Sequence, residues 1–197
     1  MNELLKRALF AVPTAIFFIA VMWYESWTFD LIIITIGLFT QFEMIKLLKK
    51  AGTPTDFIFP LIFGLFVMIS PYLPFAFEIG LALFLIFVAV QTFNTKTDGF
   101  HHLTAAFFAG IYAPLGFLSL MLIRDFGTNE QGFAIALSLV LMIWGGDVFA
   151  YFGGKNFGKK PLAPAISPKK TVEGFLFGCI GCTVGIAISI YALPFTS

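Results

Sequence analysis

Charge is what this sequence has least of. Of its 197 residues, 12% are Asp, Glu, Lys or Arg and 59% are hydrophobic. Soluble domains carry roughly 25% charged residues. A small fold cannot hide so much apolar surface, because most of its surface must face water. A soluble globular domain is therefore excluded, and a polytopic integral membrane protein is expected. Cysteine is also scarce: Cys179 and Cys182 are the only two, too few and too close for a disulfide scaffold. They form a Cys-x-x-Cys inside an apolar run, with no evident metal ligands or water nearby. Gly174, Gly178 and Cys182 recur every four residues, as do Gly181 and Gly185, and these read as a small-residue face for packing another helix. No cleavable signal peptide is expected. Lys6 and Arg7 precede an apolar stretch that continues to Tyr24 without a small-residue cleavage pattern, so it reads as a retained span. No internal repeat stands out. The net charge of +1 is uninformative about nucleic acid, and no nucleic-acid partner is expected.

What is present is apolar sequence, 27 Phe among it. The hydrocarbon core of a bilayer is about 30 Å thick and takes roughly 17–25 apolar residues per helix. Seven runs answer to that: 8–24, 29–46, 57–73, 75–93, 104–123, 133–152 and 174–193. The expected fold class is all-α, a transmembrane helical bundle of seven spans in a single integral membrane domain over residues 1–197. Pro13, Pro60 and Pro114 lie in or near helices, which membrane bundles tolerate. Trp23, Tyr24, Trp27 and Tyr72 read as interfacial belt residues. Glu78 and Gln91, near the ends of the fourth run, are placed to snorkel or pair, with Gln91 a minor candidate for lining a site. His101 and His102 read as solvated residues of a polar loop over 94–102. With the N-terminus inside, eleven of the twelve Lys and Arg fall in inside segments, leaving Arg124 outside. That bias follows the positive-inside rule and predicts a cytoplasmic N-terminus in a multi-pass cell-membrane protein.

The polar residues with chemical promise lie between Trp144 and Gly178. Asp147 sits in the sixth run, predicted to lie one and a half turns before that helix ends. An acid at the centre of a membrane helix costs roughly 2.5–3.5 kcal/mol, so it faces a wet cavity or a partner. The bland alternative is a structural Asp pairing with a lysine near the interface. Gly145 and Gly146 would let a ligand or another backbone approach, and Tyr151 lies one turn further along the same face. Lys155, Lys159 and Lys160, among glycines, could hold phosphates; they also suit orientation and anionic lipids. Residues 167–174 read Ser-Pro-Lys-Lys-Thr-Val-Glu-Gly. Thr171 is a candidate N-cap, with Glu173 in the first turn of the last span. A helix N-terminus preceded by Lys169 and Lys170, with the hydroxyls of Ser167 and Thr171, suits a phosphate or pyrophosphate. The same residues could be no more than a capped helix start.

Taken together, Asp147, Ala150, Tyr151, Gly154, Phe157, Gly158, Lys159, Leu162, Ala163, Pro164, Ser167, Pro168, Lys169, Lys170, Thr171, Glu173 and Gly174 follow one order over 28 positions. That order closely resembles the pattern of the phosphatidate cytidylyltransferase (CDP-diacylglycerol synthase) family. Arg7 and Glu43 add weak matches. The resemblance implies phospholipid biosynthesis: transfer of CMP from CTP to phosphatidic acid, giving CDP-diacylglycerol and pyrophosphate, with Mg2+. It implies Asp147, Lys169 and Lys170 as catalytic residues, and Tyr151, Lys155, Lys159, Ser167, Thr171 and Glu173 as substrate-binding ones. CTP, phosphatidic acid and membrane lipids are the expected partners, with a homodimer left open. The site loop is expected to face the cytoplasm, where a nucleotide can meet a lipid head group. The resemblance covers the N-terminal two thirds of a family member. Its downstream signature, ending in Asp-Arg-x-Asp, is not found here. The main metal ligands are expected in that part, with Asp147 the candidate within this chain, and the chain alone is expected to be inactive. The competing readings are a partner-dependent fragment or scaffold of the same family, a related CTP-using enzyme acting on another membrane lipid, and a small transporter. The clustering of polar residues at one interface counts against a transporter.

Overall fold

The computed structural model describes residues 3–24, 26–53, 57–93 and 99–192, without the side chains of 3–8, 91–92, 99–100 and 192. The expectations placed on Lys6, Arg7 and Gln91 fall on side chains outside that set. The chain is helical nearly throughout. Its elements are α1 (Glu3–Tyr24), α2 (Ser26–Lys50), α3 (Ile58–Ile69), a 3-10 turn (Ser70–Tyr72), α4 (Ala76–Phe93), α5 (Gly99–Arg124), α6 (Asn129–Phe157), β1 (Pro161–Ala163), β2 (Ser167–Thr171) and α7 (Val172–Ala192). These fall into two compact units, Met1–Ser26 with Ile123–Ser197, and Trp27–Leu122.

Among the described residues, four helices are long and apolar enough to cross a membrane: Ser26–Lys50, His101–Arg124, Asn129–Phe157 and Val172–Tyr191. The chain has the make-up of a helical membrane protein. The apolar parts Leu9–Tyr24, Ile58–Tyr72 and Ala76–Val90 are shorter, each within 10–17 residues. Pro71, in the turn after α3, helps to break what reads in the sequence as one run.

In the first unit, α6 opens on a capping box. The Thr128 side chain accepts from the Gln131 backbone N–H, and the Gln131 side chain accepts from the Thr128 N–H. Arg124 is buried, 1% exposed. Its Nε donates to the Met22 carbonyl at 2.7 Å and its guanidinium to the Asn129 side chain at 2.6 Å. Met22 belongs to the last turn of α1, whose carbonyls have no intrahelical donor. This arginine therefore has a packing role that its count as an outside charge did not reveal.

Helices α6 and α7 pack antiparallel through glycine. A Cβ on Gly181 would lie 2.3 Å from the Gly145 carbonyl oxygen, and one on Gly185 2.6 Å from that of Leu141. Gly146 faces the Cys182 sulfur, and Gly154 faces Gly174. The small-residue face expected on the last helix is thus met by a second one on α6. This contact corrects the expected end of the sixth run at 152. Gly153 and Gly154 look like loop in sequence, but they seat against Phe177 and Gly174, and α6 continues to Phe157. Asp147 consequently lies nearly three turns from the helix end, not one and a half.

The all-α expectation holds for the architecture, with one short exception after α6. Strands β1 and β2 form an antiparallel hairpin, with Pro161 opposite Thr171 and Ala163 opposite Ser167.

In the second unit, Gln41 is fully buried. Its Nε2 donates to the carbonyls of Pro60 at 2.8 Å and Ala109 at 3.1 Å, tying α2 to α3 and α5. Gly64 leaves room for that amide. Asp30 is also buried and accepts from the Tyr72 hydroxyl, so Tyr72 does more than line an interface. His101 and His102 lie in the first turns of α5, and His102 is 5% exposed. The expected solvated loop is, at these two positions, helix.

Candidate functional site

The site is built from α6, the hairpin and the start of α7, all in one unit. Antiparallel packing of α6 on α7 leaves one face of α6 open near its C-terminal end. Asp147, Tyr151 and Lys155 recur there at intervals of four, and helical spacing stacks them on one side. The hairpin brings Lys169, Lys170 and Thr171 to the same space. The result is a cavity of about 600 Å³ lined by these six residues, with Ala150, Gly154, Leu162, Gly174 and Phe175 completing its wall.

Short-range bonds fix the hairpin to the helix start. The Thr171 hydroxyl accepts from the Gly174 N–H at 3.2 Å, an N-cap on α7 that satisfies one of the free donors of its first turn. The Glu173 carboxylate accepts from the backbone N–H groups of Lys159 at 3.0 Å and Lys160 at 3.2 Å. The Val172 N–H donates to the Lys160 carbonyl at 2.9 Å. The segment after α6 is thereby clamped against the first turn of α7.

The cavity is electropositive. Lys155, Lys169 and Lys170 approach it from two elements, and none has a carboxylate within ion-pair distance among the described residues. The Lys155 ammonium lies 5.9 Å from the centre of the Tyr151 ring. The N-terminus of α7 adds its dipole. Unpaired cations at a helix start suit a polyanion such as a nucleotide phosphate. Asp147 supplies the one carboxylate of the lining, and it is open to the cavity.

Of the residues read from the sequence, Asp147, Tyr151, Lys155, Lys169, Lys170 and Thr171 come together in the cavity. Lys159, Ser167 and Glu173 are not in its lining. Glu173 and the Lys159 backbone belong to the clamp, and Ser167 opposes Ala163 in the hairpin. Leu162, a residue of the motif, lines the cavity, and so does Phe175, which carried no signal among so many apolar residues. Cys179 and Cys182 are free thiols, with Cys182 part of the helix contact.

Known proteins similar to this chain include several phosphatidate cytidylyltransferases. A phosphatidate cytidylyltransferase of Bacillus subtilis is 29% identical over 187 residues, covering 91% of this chain and 69% of that protein. One of Aquifex aeolicus is 44% identical over 79 residues, 40% of this chain and 29% of that protein. One of Chlamydia trachomatis is 54% identical over 46 residues, 23% of this chain and 15% of that protein. The matched regions thus span from under a fifth to about two thirds of these relatives. No solved structure matches the chain. The model of the cytidylyltransferase family matches residues 5–196, and the chain belongs to that family.

Proposed function

We propose that this chain acts in phospholipid biosynthesis, in the transfer of CMP from CTP to phosphatidic acid to give CDP-diacylglycerol and pyrophosphate. The observation that carries the reading is the cavity of about 600 Å³ in which three lysines meet Asp147 at the start of α7, in a chain of the cytidylyltransferase family. In this reaction an oxygen of the lipid phosphate attacks the α-phosphorus of CTP. The bond from that phosphorus to the oxygen bridging to the β-phosphate breaks, and pyrophosphate leaves. Such a transfer needs little covalent help and much charge neutralisation and alignment. Lys169 and Lys170 neutralise the triphosphate at the helix start, assisted by Lys155 and the Thr171 hydroxyl. Tyr151 holds the substrate against α6. Glu173, Lys159 and Ser167 keep the hairpin in position.

Magnesium belongs to the proposal. Among the described residues no group of three or more His, Cys, Asp or Glu is placed to hold a metal. Mg2+ is usually held by one or two carboxylates together with substrate phosphates and waters. A single Asp147 facing a triphosphate fits that pattern. When bound, the ion would neutralise phosphate charge.

The same reading includes seven spans, a cytoplasmic N-terminus and a cell-membrane location with the hairpin facing the cytoplasm. The Lys and Arg bias supports it, as does the need for CTP to reach a lipid head group. Calorimetric titration of the purified chain with CTP and Mg2+ is the test. Binding is expected, with at least about a tenfold loss in a Lys169→Gln, Lys170→Gln double variant, since each charge-assisted bond is worth roughly 1.5–3 kcal/mol. Equal affinity in the variant would overturn the assignment.

A further inference from the structure

A second cavity lies in the other unit, on the flank of α2 against α3. It is a groove of about 540 Å³ lined by Thr35, Leu38, Phe39, Phe42, Leu61, Ile62 and Leu65, a volume within the roughly 300–1,000 Å³ of ligand sites. Its one polar lining side chain is already satisfied, because the Thr35 hydroxyl donates to the Leu31 carbonyl at 2.7 Å. The groove therefore asks for an apolar guest. One end is different. The Phe42 ring, part of the lining, contacts the Phe57 ring with centroids 5.5 Å apart. The Lys46 ammonium sits 4.2 Å over the Phe42 ring, and that of Lys49 3.6 Å over the Phe57 ring. Lys46 is shared with Glu43 at 3.1 Å. Lys49 has no carboxylate partner among the described residues, and Lys50 beside it is exposed.

An apolar channel that ends in cations is complementary to a molecule with a long chain and an anionic head. We infer that this groove is a binding site for an anionic bilayer phospholipid. One acyl chain lies along Leu38, Phe39 and Leu65, and the phosphate rests against Lys46 and Lys49. Helix α2 is long and apolar enough to cross a membrane, and the lysines fall in its last turns, where side chains snorkel to the head-group layer. This site is separate from the Asp147 cavity and does not depend on the reaction proposed there.

The test is photocross-linking of the purified full chain with phosphatidylglycerol carrying a photoreactive acyl chain, with adducts mapped by mass spectrometry. Adducts are expected within residues 35–42 and 61–65. Unlabelled phosphatidylglycerol should compete. Phosphatidylcholine with the same chains, or glycerol phosphate without any, should not. Lys49→Gln should reduce the yield about fivefold, the worth of one basic side chain near a membrane surface. Leu65→Trp should fill the groove and reduce the yield at unchanged helicity. If that variant does not fold, Lys49→Gln, at the exposed helix end, carries the test. Adducts spread evenly over the helices, equal competition by phosphatidylcholine, or a yield indifferent to Lys49→Gln would overturn the inference. So would a protein–protein cross-link from a photoreactive phenylalanine analogue placed at Phe39, which would assign the groove to a second copy of the chain.

Discussion

Single residues decide how the cavity is held. Glu173 reads in the sequence as a first-turn acid complementing the α7 dipole. In the fold its carboxylate also accepts two backbone N–H groups from the segment that leaves α6. An ionised acceptor makes stronger bonds than a neutral one, so Glu173→Ala should release the clamp while leaving the helices intact. Limited trypsin digestion checks this: cleavage after Lys159 and Lys160 is expected to accelerate in the variant, with helical circular dichroism unchanged. Unaltered cleavage would mean that the hairpin is held by other bonds. Asp147, Tyr151 and Lys155 were legible because their chemistry is rare in an apolar run and their spacing is helical. Gln41, Asp30 and the packing role of Arg124 were not. Each is a polar residue whose partner is a distant carbonyl or hydroxyl, and no local pattern marks such a pairing.

At the scale of elements, the contact of α6 with α7 is the framework of the site. Gly145 and Gly181 meet backbone to backbone, so a methyl at Gly181 would run into the Gly145 carbonyl and the Phe149 Cβ. Gly181→Ala should force the helices apart, costing about 1–3 kcal/mol as other overpacked contacts do, and should weaken CTP binding because the cavity straddles both helices. Gly116 in α5 is the control, since a Cβ there meets nothing within 4 Å. Gly116→Ala should be neutral or mildly stabilising, in line with the roughly 1 kcal/mol helix preference for Ala. Thermal unfolding in detergent micelles distinguishes the two. The apolar runs located the helices because membrane helices must be continuous and apolar. The ends were less legible. Glycines that look like a loop continued α6 because α7 covers them, and the short β1–β2 hairpin has too little alternating pattern to stand out among Pro and Lys.

At the scale of the whole molecule, the account rests on sidedness. In the proposed seven-span topology, Lys50 and Lys159 lie on one side and the α5–α6 turn on the other, following the positive-inside rule. Single cysteines introduced as Lys50→Cys, Lys159→Cys and Phe126→Cys, in a Cys179→Ser, Cys182→Ala background, should divide accordingly. The first two should react with an impermeant thiol reagent from the cytoplasmic face and the third from the opposite face. Labelling of Lys50→Cys and Lys159→Cys from opposite faces would refute the seven-span topology.

The central claim is that the cavity between α6, the hairpin and α7 receives the phosphates of CTP. Amine-labelling footprints of the purified chain, read lysine by lysine with and without CTP and Mg2+, test it most directly. Lys155, Lys169 and Lys170 should be protected by CTP, while Lys49 and Lys50 should react at the same rate in both conditions. CTP binding that leaves Lys169 and Lys170 as reactive as before would contradict the account.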